Sequence, residues 1–537
     1  MFKINMLSLG IIFLVMTIPL ASLYLSTILI HRFALLILLY CSLLSYNTLY
    51  IIPLSTGIGI YGGLFQITTL SQSLEIFILI IGSIILLLVP EGKEINTKLF
   101  SFSKENNNLE NIKDYNKTAT LWNYWDNLSS NVKEVLSTSN KTNNSIGLKD
   151  YPLIILFTTL GMLSLISSSD LITMFLAIEL QSFALYILAT MNRNSESAVA
   201  AGLKYFLLGG LSSCFILLGS TLIYSYTGLT NFESLNILQS VIGQSFEENS
   251  YNYLAIGCII LTIGLLFKIG AAPLHSWAPD VYDGVPTMVT TWLTIMPKLS
   301  ILVFFIMNNF LIEPNLLMIS ALLSLLLGSI TGLAQYKIKR LLTYSTISHI
   351  GLILLALGNE SINGLESTIF YIAQYSITSL NIFLILILLG YTLSINKIIS
   401  VYSPIQFISQ LRGQFFNNPT LSIAFALSLF SMSGIPPLIG FFGKYFVINS
   451  ALMNGNYFLS LVVIISSVIS TVYYLQIVKT LFLPSTENTT SITEINNLSP
   501  ILAYIVAILT LFIIFFILYP TPILNSIHLI ATYQYYY

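Results

Sequence analysis

The sequence predicts an all-α polytopic membrane protein, and two features of its composition carry this prediction. Of its 537 residues, 55% are hydrophobic and only 8% are charged, whereas an ordinary soluble domain is about 25% charged. Apolar runs of about 20 residues, long enough to cross a bilayer as helices, recur almost from end to end. Because the net charge is only −1, the composition gives no general attraction to nucleic acid.

The apolar runs predict about fourteen transmembrane helices. The first run is too long for the core of a signal peptide and has no clear cleavage site, so we expect a retained helix. The polar stretch 91–150, rich in Asn, Lys, Ser and Glu, predicts an extramembrane insert. The runs lie near 6–29, 33–52, 71–89, 151–168, 171–191, 198–226, 252–283, 285–310, 314–334, 339–357, 364–391, 419–452, 457–482 and 498–519.

Loop charges predict the orientation, because basic residues favour the cytoplasmic or matrix side. One set of alternate loops contains only Lys3 as a basic residue, together with seven acidic residues. We therefore expect both termini on the outer side and the insert on the matrix or cytoplasmic side. The other set of loops contains Arg32, the eight lysines of the insert, Arg193, Lys337, Lys339, Arg340, Lys397, Arg412 and Lys479.

A short motif occurs twice, and each copy interrupts a long apolar run. Residues 272–275 (APLH) match residues 436–439 (PPLI) at a spacing of 164. Each copy lies in the fourth span of a five-span block, and five is an odd number, so we expect two inverted five-helix repeats. Inverted repeats with matching discontinuous helices are typical of ion-translocating transporters. The predicted domains are 1–90 (three helices), 91–150 (insert), 151–310 (first repeat), 314–482 (second repeat) and 483–537 (C-terminal loop and last helix).

Charged side chains at bilayer depth cost several kcal/mol, about 2.5–3.5 on insertion scales, so those that remain inside spans are candidates for function. Desolvation favours neutral lysine, and a nearby carboxylate favours its charged form. A Glu–Lys pair that opens and closes can therefore release and recapture a proton. We interpret Glu179 with Lys268 as such a switch, and the other groups as a lateral path connected by water. The candidate residues are Glu179, Lys204, Lys268, Lys298 and Lys444, with His275 and His349 as titratable neighbours.

Structural roles remain open for several of these residues. Glu179 could form an ion pair that holds two helices together, and Lys204, near the start of its span, could extend to the surface. His349 could be a hydrogen-bonded core histidine. We expect Glu75 to be interfacial, and Asp280 with its neighbour Asp283 to cap or line the end of the first broken helix.

The sequence predicts no metal and no cofactor on this chain. Its three cysteines lie in apolar runs without metal-ligand spacing, and we interpret them as buried apolar residues. The sequence contains no phosphate-binding glycine loop, no haem-type histidine pair and no nucleophilic triad. Any redox chemistry is therefore expected on another chain. The cysteines are Cys41, Cys214 and Cys258.

Three motifs resemble the antiporter-like membrane subunits of respiratory complex I, NADH:ubiquinone oxidoreductase. They are FKIGAAPLHSWAPDVYDGVPTMVTTWL, KIKRLLTYSTISHIG and SLFSMSGIPPLIGFFGKYFV, and the resemblance covers about 151–482. Within the family, GIPPLIGFFGK and LRG at 411–413 are similar to the subunit 2 branch. Fourteen spans match its bacterial, plant and fungal forms, and the Ile-, Asn-, Lys- and Tyr-rich composition suggests a mitochondrial gene of fungal type. The insert 91–150 departs from the common bacterial pattern.

The resemblance implies a proton-translocating subunit in the mitochondrial inner membrane, driven by electron transfer elsewhere in the complex. NADH, FMN, iron–sulfur clusters and ubiquinone would then lie on partner subunits. Other membrane-arm subunits, including antiporter-like neighbours, and membrane lipid would surround the chain. By motif, the family's intramembrane charges correspond to Glu179 in the fifth span, Lys204 in the sixth, Lys268 in the seventh, Lys298 in the eighth and Lys444 in the twelfth.

Two other functions remain open at this stage. The chain could be a stand-alone or Mrp-type cation/proton antiporter, which would share the same fold. It could also be a non-conducting subunit that only couples its neighbours structurally. The first alternative predicts a chain without redox subunits and sodium-dependent transport. The second predicts that neutralising the buried charges lowers assembly and leaves the number of pumped protons per electron unchanged.

Overall fold

A computed structural model of the chain confirms an all-α membrane fold. It describes residues 2–20, 27–50, 57–87, 150–193, 195–242, 248–394, 405–484 and 500–536. The predicted insert lies almost entirely outside these residues. Ten of the described helices are long and apolar enough to cross a membrane, and five shorter apolar helices accompany them.

The helices are numbered here in chain order over the described residues. They are α1 Phe2–Leu20, α2 Thr27–Thr48, α3 Thr69–Leu86, α4 Asp150–Ile166, α5 Leu171–Thr190, α6 Glu196–Thr227, α7 Phe232–Ile242, α8 Glu248–Ile269, α9 Trp277–Gly284, α10 Thr287–Met307, α11 Pro314–Leu333, α12 Ile338–Leu357, α13 Ile362–Ser394, α14 Gln414–Asn417, α15 Pro419–Ser433, α16 Ile439–Met453, α17 Tyr457–Phe482, α18 Pro500–Phe515 and α19 Thr521–Tyr536.

Both predicted interruptions are present as helix breaks with the same backbone geometry. The break between α8 and α9 begins at Gly270, with a φ of +78°, and the break between α15 and α16 begins at Gly434, with a φ of +87°. The amide of Gly270 donates to Leu266 O at 3.0 Å, and that of Gly434 donates to Phe430 O at 3.1 Å. A left-handed glycine with these bonds is a standard helix C-terminus. Each break contains a cis X-Pro bond, Ala272–Pro273 or Pro436–Pro437.

The spacing of 164 residues relates the left-handed glycines, the cis prolines and the first hydrogen bonds of the two breaks. The two breaks divide the predicted spans 252–283 and 419–452 into α8 with α9 and α15 with α16. The total of fourteen spans and the inverted orientation of the two repeats stay predictions. Non-helical backbone at membrane depth is tolerated only where protein or water surrounds it.

The N-terminal three helices contain a buried ion pair, which corrects the prediction for Glu75. Instead of being interfacial, the Glu75 side chain is fully buried and contacts the ammonium of Lys3, itself only 4% exposed. Lys3 had been counted among the loop charges, but it lies in the first turn of α1. The packing of α2 against both α1 and α3 brings the two side chains together. A buried charge without a partner is costly, so each residue lowers the free-energy cost of burying the other.

Several elements lie outside the predicted spans, among them a hairpin and the final helix. A hairpin pairs β1, Ile58–Ile60, with β2, Phe65–Ile67, and the amide of Gln66 donates to Ser167 O at 2.7 Å in the turn before α5. The final helix α19 contacts α3 and α13. Its short sequence, TPILNSIHLIATYQYY, mixes apolar and polar residues and cannot cross a bilayer at 1.5 Å per residue.

The helices α6 and α8 approach each other closely because glycines lie where they cross. A Cβ atom on Gly219 would lie 2.6 Å from the backbone nitrogen of Leu261, and one on Gly264 would lie 3.0 Å from that of Ile216. Small residues of this kind allow membrane helices to pack backbone to backbone. The crossing holds α8, whose last turn contains Lys268, in a fixed place.

Replacing Gly219 by Ala is expected to destabilise the protein by about 1–3 kcal/mol, because the added methyl group overpacks a backbone contact. The matched control is Gly210→Ala on the same helix, where a Cβ would meet no atom within 4 Å. Thermal unfolding of the purified protein in detergent measures both. Equal unfolding temperatures for the two variants would contradict the proposed crossing.

Candidate proton-transfer site

Glu179 and Lys268 are brought together as predicted. Glu179 lies in the middle of α5, and Lys268 lies in the last turn of α8, just before the break. Their Oε1 and Nζ atoms are 3.5 Å apart, and the side chains are 16% and 9% exposed. Within the described part of the chain, neither of these atoms has a hydrogen-bond partner. The two charges therefore attract each other without a direct hydrogen bond that would hold the proton in one place.

A small cavity lies beside Lys268. Its volume is about 20 Å³, which is enough for one water molecule. Pro297, the residue before Lys298, belongs to its wall, whereas the side chain of Lys298 does not. The polar groups in the wall are Gln181, Ser182, Tyr186, Tyr205 and Ser212.

Lys298 is buried in α10 and is paired with neutral groups. Its side chain is 2% exposed, and Nζ donates to Thr346 Oγ1 at 3.0 Å. The same atom lies 5.3 Å from the centre of the Tyr282 ring, a distance typical of a cation–π contact. Among the described residues no carboxylate lies within ion-pair distance of it. The hydroxyl of Thr346 and the ring face of Tyr282 therefore take the place of solvent around the ammonium of Lys298. Its charge state then depends on which other groups or water molecules enter the site.

His349 lies between two tyrosine hydroxyls. Its Nδ1 is 2.6 Å from Tyr371 Oη and its Nε2 is 3.1 Å from Tyr474 Oη. A neutral imidazole has one donor and one acceptor nitrogen, and a hydroxyl can serve either. The same geometry therefore fits both roles considered from the sequence. A core histidine with both nitrogens hydrogen-bonded is also a group through which a proton can pass when the imidazole changes tautomer.

Lys444 is buried in α16 beside the second break. Its Nζ donates to Ser433 O at 2.7 Å, a carbonyl at the end of α15, where the helix dipole is negative. A Cβ on Gly434 would lie 2.9 Å from Lys444 Cδ, so the glycine leaves the space that the lysine occupies. The second break thus holds a lysine, as the first break does through Lys268.

A polar face of α13 was absent from the residues predicted from the sequence. Gln374 and Asn381 are at most 2% exposed. Within the described residues, Gln374 Oε1 and both amide atoms of Asn381 have no hydrogen-bond partner. Gln374 lies against α16, since a Cβ on Gly443 would be 2.2 Å from its Oε1. Buried unpaired amides are costly and mark positions that water can occupy.

The spacing along α13 was the signal that could have shown this face. Polar and tyrosine side chains recur three or four residues apart, which places them on one side of a helix. Their run also contains Ser376 and Ser379 and is otherwise apolar. The residues are Tyr371, Gln374, Tyr375, Thr378 and Asn381.

Lys204 and His275 lie apart from the buried groups. Lys204 was expected in the lateral path, but its side chain is 41% exposed and contacts Asp280 of α9. The position near the start of α6 lets the long side chain reach the surface. His275 is half-buried in the first break, and its ring centre is 6.4 Å from that of Tyr344. The side chain of Asp280 also contacts Arg340.

The arrangement therefore contains one Glu–Lys pair and three further buried groups, Lys298, His349 and Lys444, on α10, α12 and α16. Hydroxyl groups, amides and a water-sized cavity separate them, which is the chemistry of proton transfer. Within the described residues, no group of histidine, cysteine and carboxylate side chains is placed to hold a metal ion.

Comparison with known proteins identifies the family of the chain. A family model described as NADH:quinone oxidoreductase/Mrp antiporter, TM matches residues 168–470, a range that includes all seven predicted site residues. The chain is 48% identical to NADH-ubiquinone oxidoreductase chain 2 of Rhizopus oryzae, and the alignment covers 98% of this chain and 99% of the relative.

Two solved structures share the fold. Respiratory complex I from Thermus thermophilus with bound Aureothin contains a chain with a TM-score of 0.72 and 24% identity, covering 98% of this chain and 99% of that one. The Mrp complex from Dietzia sp. DQ12-45-1b contains another with a TM-score of 0.72 and 18% identity, covering 99% and 97%. The chain therefore belongs to the NADH-ubiquinone oxidoreductase chain 2 family, within the wider group of NADH:quinone oxidoreductase and Mrp antiporter membrane subunits.

Proposed function

We propose that this chain is a proton-translocating subunit in the membrane arm of NADH:ubiquinone oxidoreductase. The observation that carries the proposal is the Glu179–Lys268 pair, separated by 3.5 Å beside a water-sized cavity. Membership of the chain 2 family supplies the context of the complex. The buried lysines Lys298 and Lys444 extend the pair into the second repeat.

In the closed pair, the carboxylate of Glu179 stabilises the ammonium of Lys268. When the two separate, the ammonium loses its counter-charge in a medium of low dielectric constant, and Lys268 releases its proton to water in the cavity. Lys298 can accept that proton, because Thr346 and Tyr282 stabilise its charged form. His349 and its two tyrosines then connect this position with Lys444.

The complex would supply the driving force. Electron transfer from NADH through FMN and iron–sulfur clusters to ubiquinone would take place on partner subunits, and this chain would hold no redox centre. We place it in the mitochondrial inner membrane as a multi-pass subunit, with both termini on the intermembrane-space side and the insert 91–150 on the matrix side. Its partners would be other membrane-arm subunits and lipid. The domain division at 90, 150, 310 and 482 is part of this proposal.

The likeness to the Mrp complex keeps a cation/proton antiporter as the second candidate. That likeness concerns the fold, since the sequences are 18% identical. Sodium dependence distinguishes the two functions, because Lys298 and Lys444 with hydroxyl and carbonyl partners can bind protons but repel sodium ions. Purification as an isolated chain without redox subunits, with sodium-dependent transport, would favour the antiporter.

Replacing Lys268 by Ala is expected to lower proton pumping strongly, because the switch loses the group that carries the proton. The measurement is NADH-driven acidification in liposomes that contain the reconstituted complex, normalised to electron transfer. Lys479→Ala, which removes an exposed lysine of α17, is the control and is expected to pump like the unchanged complex. Full coupling of Lys268→Ala at normal turnover would rule out the proposed role.

Replacing Thr346 by Val is expected to lower pumping several-fold, because a hydrogen bond to a charged group contributes about 1.5–3 kcal/mol and Lys298 would lose one. Thr343→Val on the same helix is the matched control, since that buried hydroxyl donates only to Arg340 O at 2.6 Å. Similar pumping by both variants would remove Thr346 from the path.

The non-conducting alternative is tested by neutralising both ends of the path in the double variant Glu179→Gln with Lys444→Met. We expect the complex to assemble and to pump fewer protons per electron, because Lys268 loses the carboxylate with which it alternates and the second break loses its lysine. Assembly is measured by native electrophoresis and pumping as above. Reduced assembly together with an unchanged proton-to-electron ratio would support a purely structural subunit.

A further inference from the structure

We propose that five charged residues on and around α9 form a group of ion pairs, called here the α9 clasp. These ion pairs fix the position of α9 between Lys268 and Lys298 and so couple the two lysines. The inference rests on the proposed function and assigns Lys204 a positioning role instead of a place in the proton path. The members of the α9 clasp are Lys204, Asp280, Asp283, Lys337 and Arg340.

The clasp joins three parts of the chain. Asp280 contacts Lys204 of α6 and Arg340 of α12, while Asp283 Oδ2 lies 2.8 Å from Lys337 Nζ and 3.6 Å from Arg340 Nε. Lys204 on α6 belongs to the predicted first repeat, and Arg340 on α12 belongs to the predicted second repeat. Both carboxylates belong to α9. Just beyond α9, Lys339 Nζ donates to Val285 O at 2.7 Å. Every charge on α9 is therefore held by a neighbouring element.

The same short helix contacts the surroundings of both lysines. Trp277 at its start donates from Nε1 to Phe267 O at 2.9 Å, the carbonyl of the residue that precedes Lys268. One turn later, Tyr282 presents its ring to Lys298, 5.3 Å from Nζ, and donates from its hydroxyl to Leu293 O at 3.2 Å. A shift of α9 would therefore alter the environments of Lys268 and Lys298 at the same time.

The charges and exposure of the α9 clasp allow its ion pairs to separate without unfolding of the protein. The carboxylates number two and the cations three, and the three cations are 39–42% exposed. Single exposed ion pairs contribute little, but here Arg340 bridges both carboxylates, so the contacts depend on one another. Removing one carboxylate leaves three cations facing a single negative charge, which would release α9 from α6, from α12 or from both.

The test is Asp280→Asn in the reconstituted complex. We expect the part of the proton-to-electron ratio that is lost in Lys268→Ala to fall about two- to five-fold. This is the size of effect that an exposed charge network has on an equilibrium. NADH:ubiquinone turnover in the presence of an uncoupler is expected to stay unchanged. Asp280→Glu should restore pumping, since it keeps the charge. A merely structural role would lower both quantities together, in proportion to the amount of assembled complex.

The control is Glu196→Gln, an exposed acidic residue in the first turn of the same α6, which is expected to pump normally. Should Asp280→Asn fail to assemble, Lys337→Gln at the exposed edge of the clasp is scored by the same criteria. Normal pumping in the assembled variants, with pumping lost in Lys268→Ala, would overturn the clasp and leave the proposed function standing. Normal pumping in Lys268→Ala would overturn the function itself.

Discussion

The low dielectric constant of the membrane interior is the constraint on which this structure depends. It makes every unpaired charge and every unpaired backbone group costly, so each break and each buried lysine needs a local partner. Glu179 partners Lys268, a hydroxyl and a ring partner Lys298, and the free carbonyl at the end of α15 partners Lys444. These partners differ in kind: one is a carboxylate, one is a hydroxyl with an aromatic ring, and one is a backbone carbonyl.

The two helix breaks are built in the same way. At each, a left-handed glycine ends a helix, a proline-containing segment crosses the gap, and a lysine lies close by. The lysines are placed differently, however: Lys268 precedes its break, whereas Lys444 follows its own in the next helix. The first break therefore meets a carboxylate from α5, whereas among the described residues no carboxylate lies within ion-pair distance of Lys444. The two breaks thus share their backbone architecture and differ in the chemistry placed beside it.

Much of the fold followed from the sequence because helices that face lipid must be long and apolar, and breaks must contain Gly and Pro. The Glu179–Lys268 pair followed because few other charges are available at that depth. Three features did not follow. The burial of Glu75 depends on Lys3, which is 72 residues away; the exposure of Lys204 depends on Asp280; and the polar face of α13 consists of residues that are ordinary one at a time. The first two are tertiary contacts between residues that carry no local signal, whereas the third has only the spacing of its residues along one helix as a signal.

The helix α19 has a consequence for the order in which the molecule is completed. His528 contacts Glu366 near the start of α13, Gln534 donates to Met307 O at the end of α10, and the helix also contacts α3. It therefore touches α3, α10 and α13. Because a chain enters the membrane in the order of its synthesis, these contacts form only after all the other described helices have been made. Among the described helices, the connection that α19 makes is therefore the last to form.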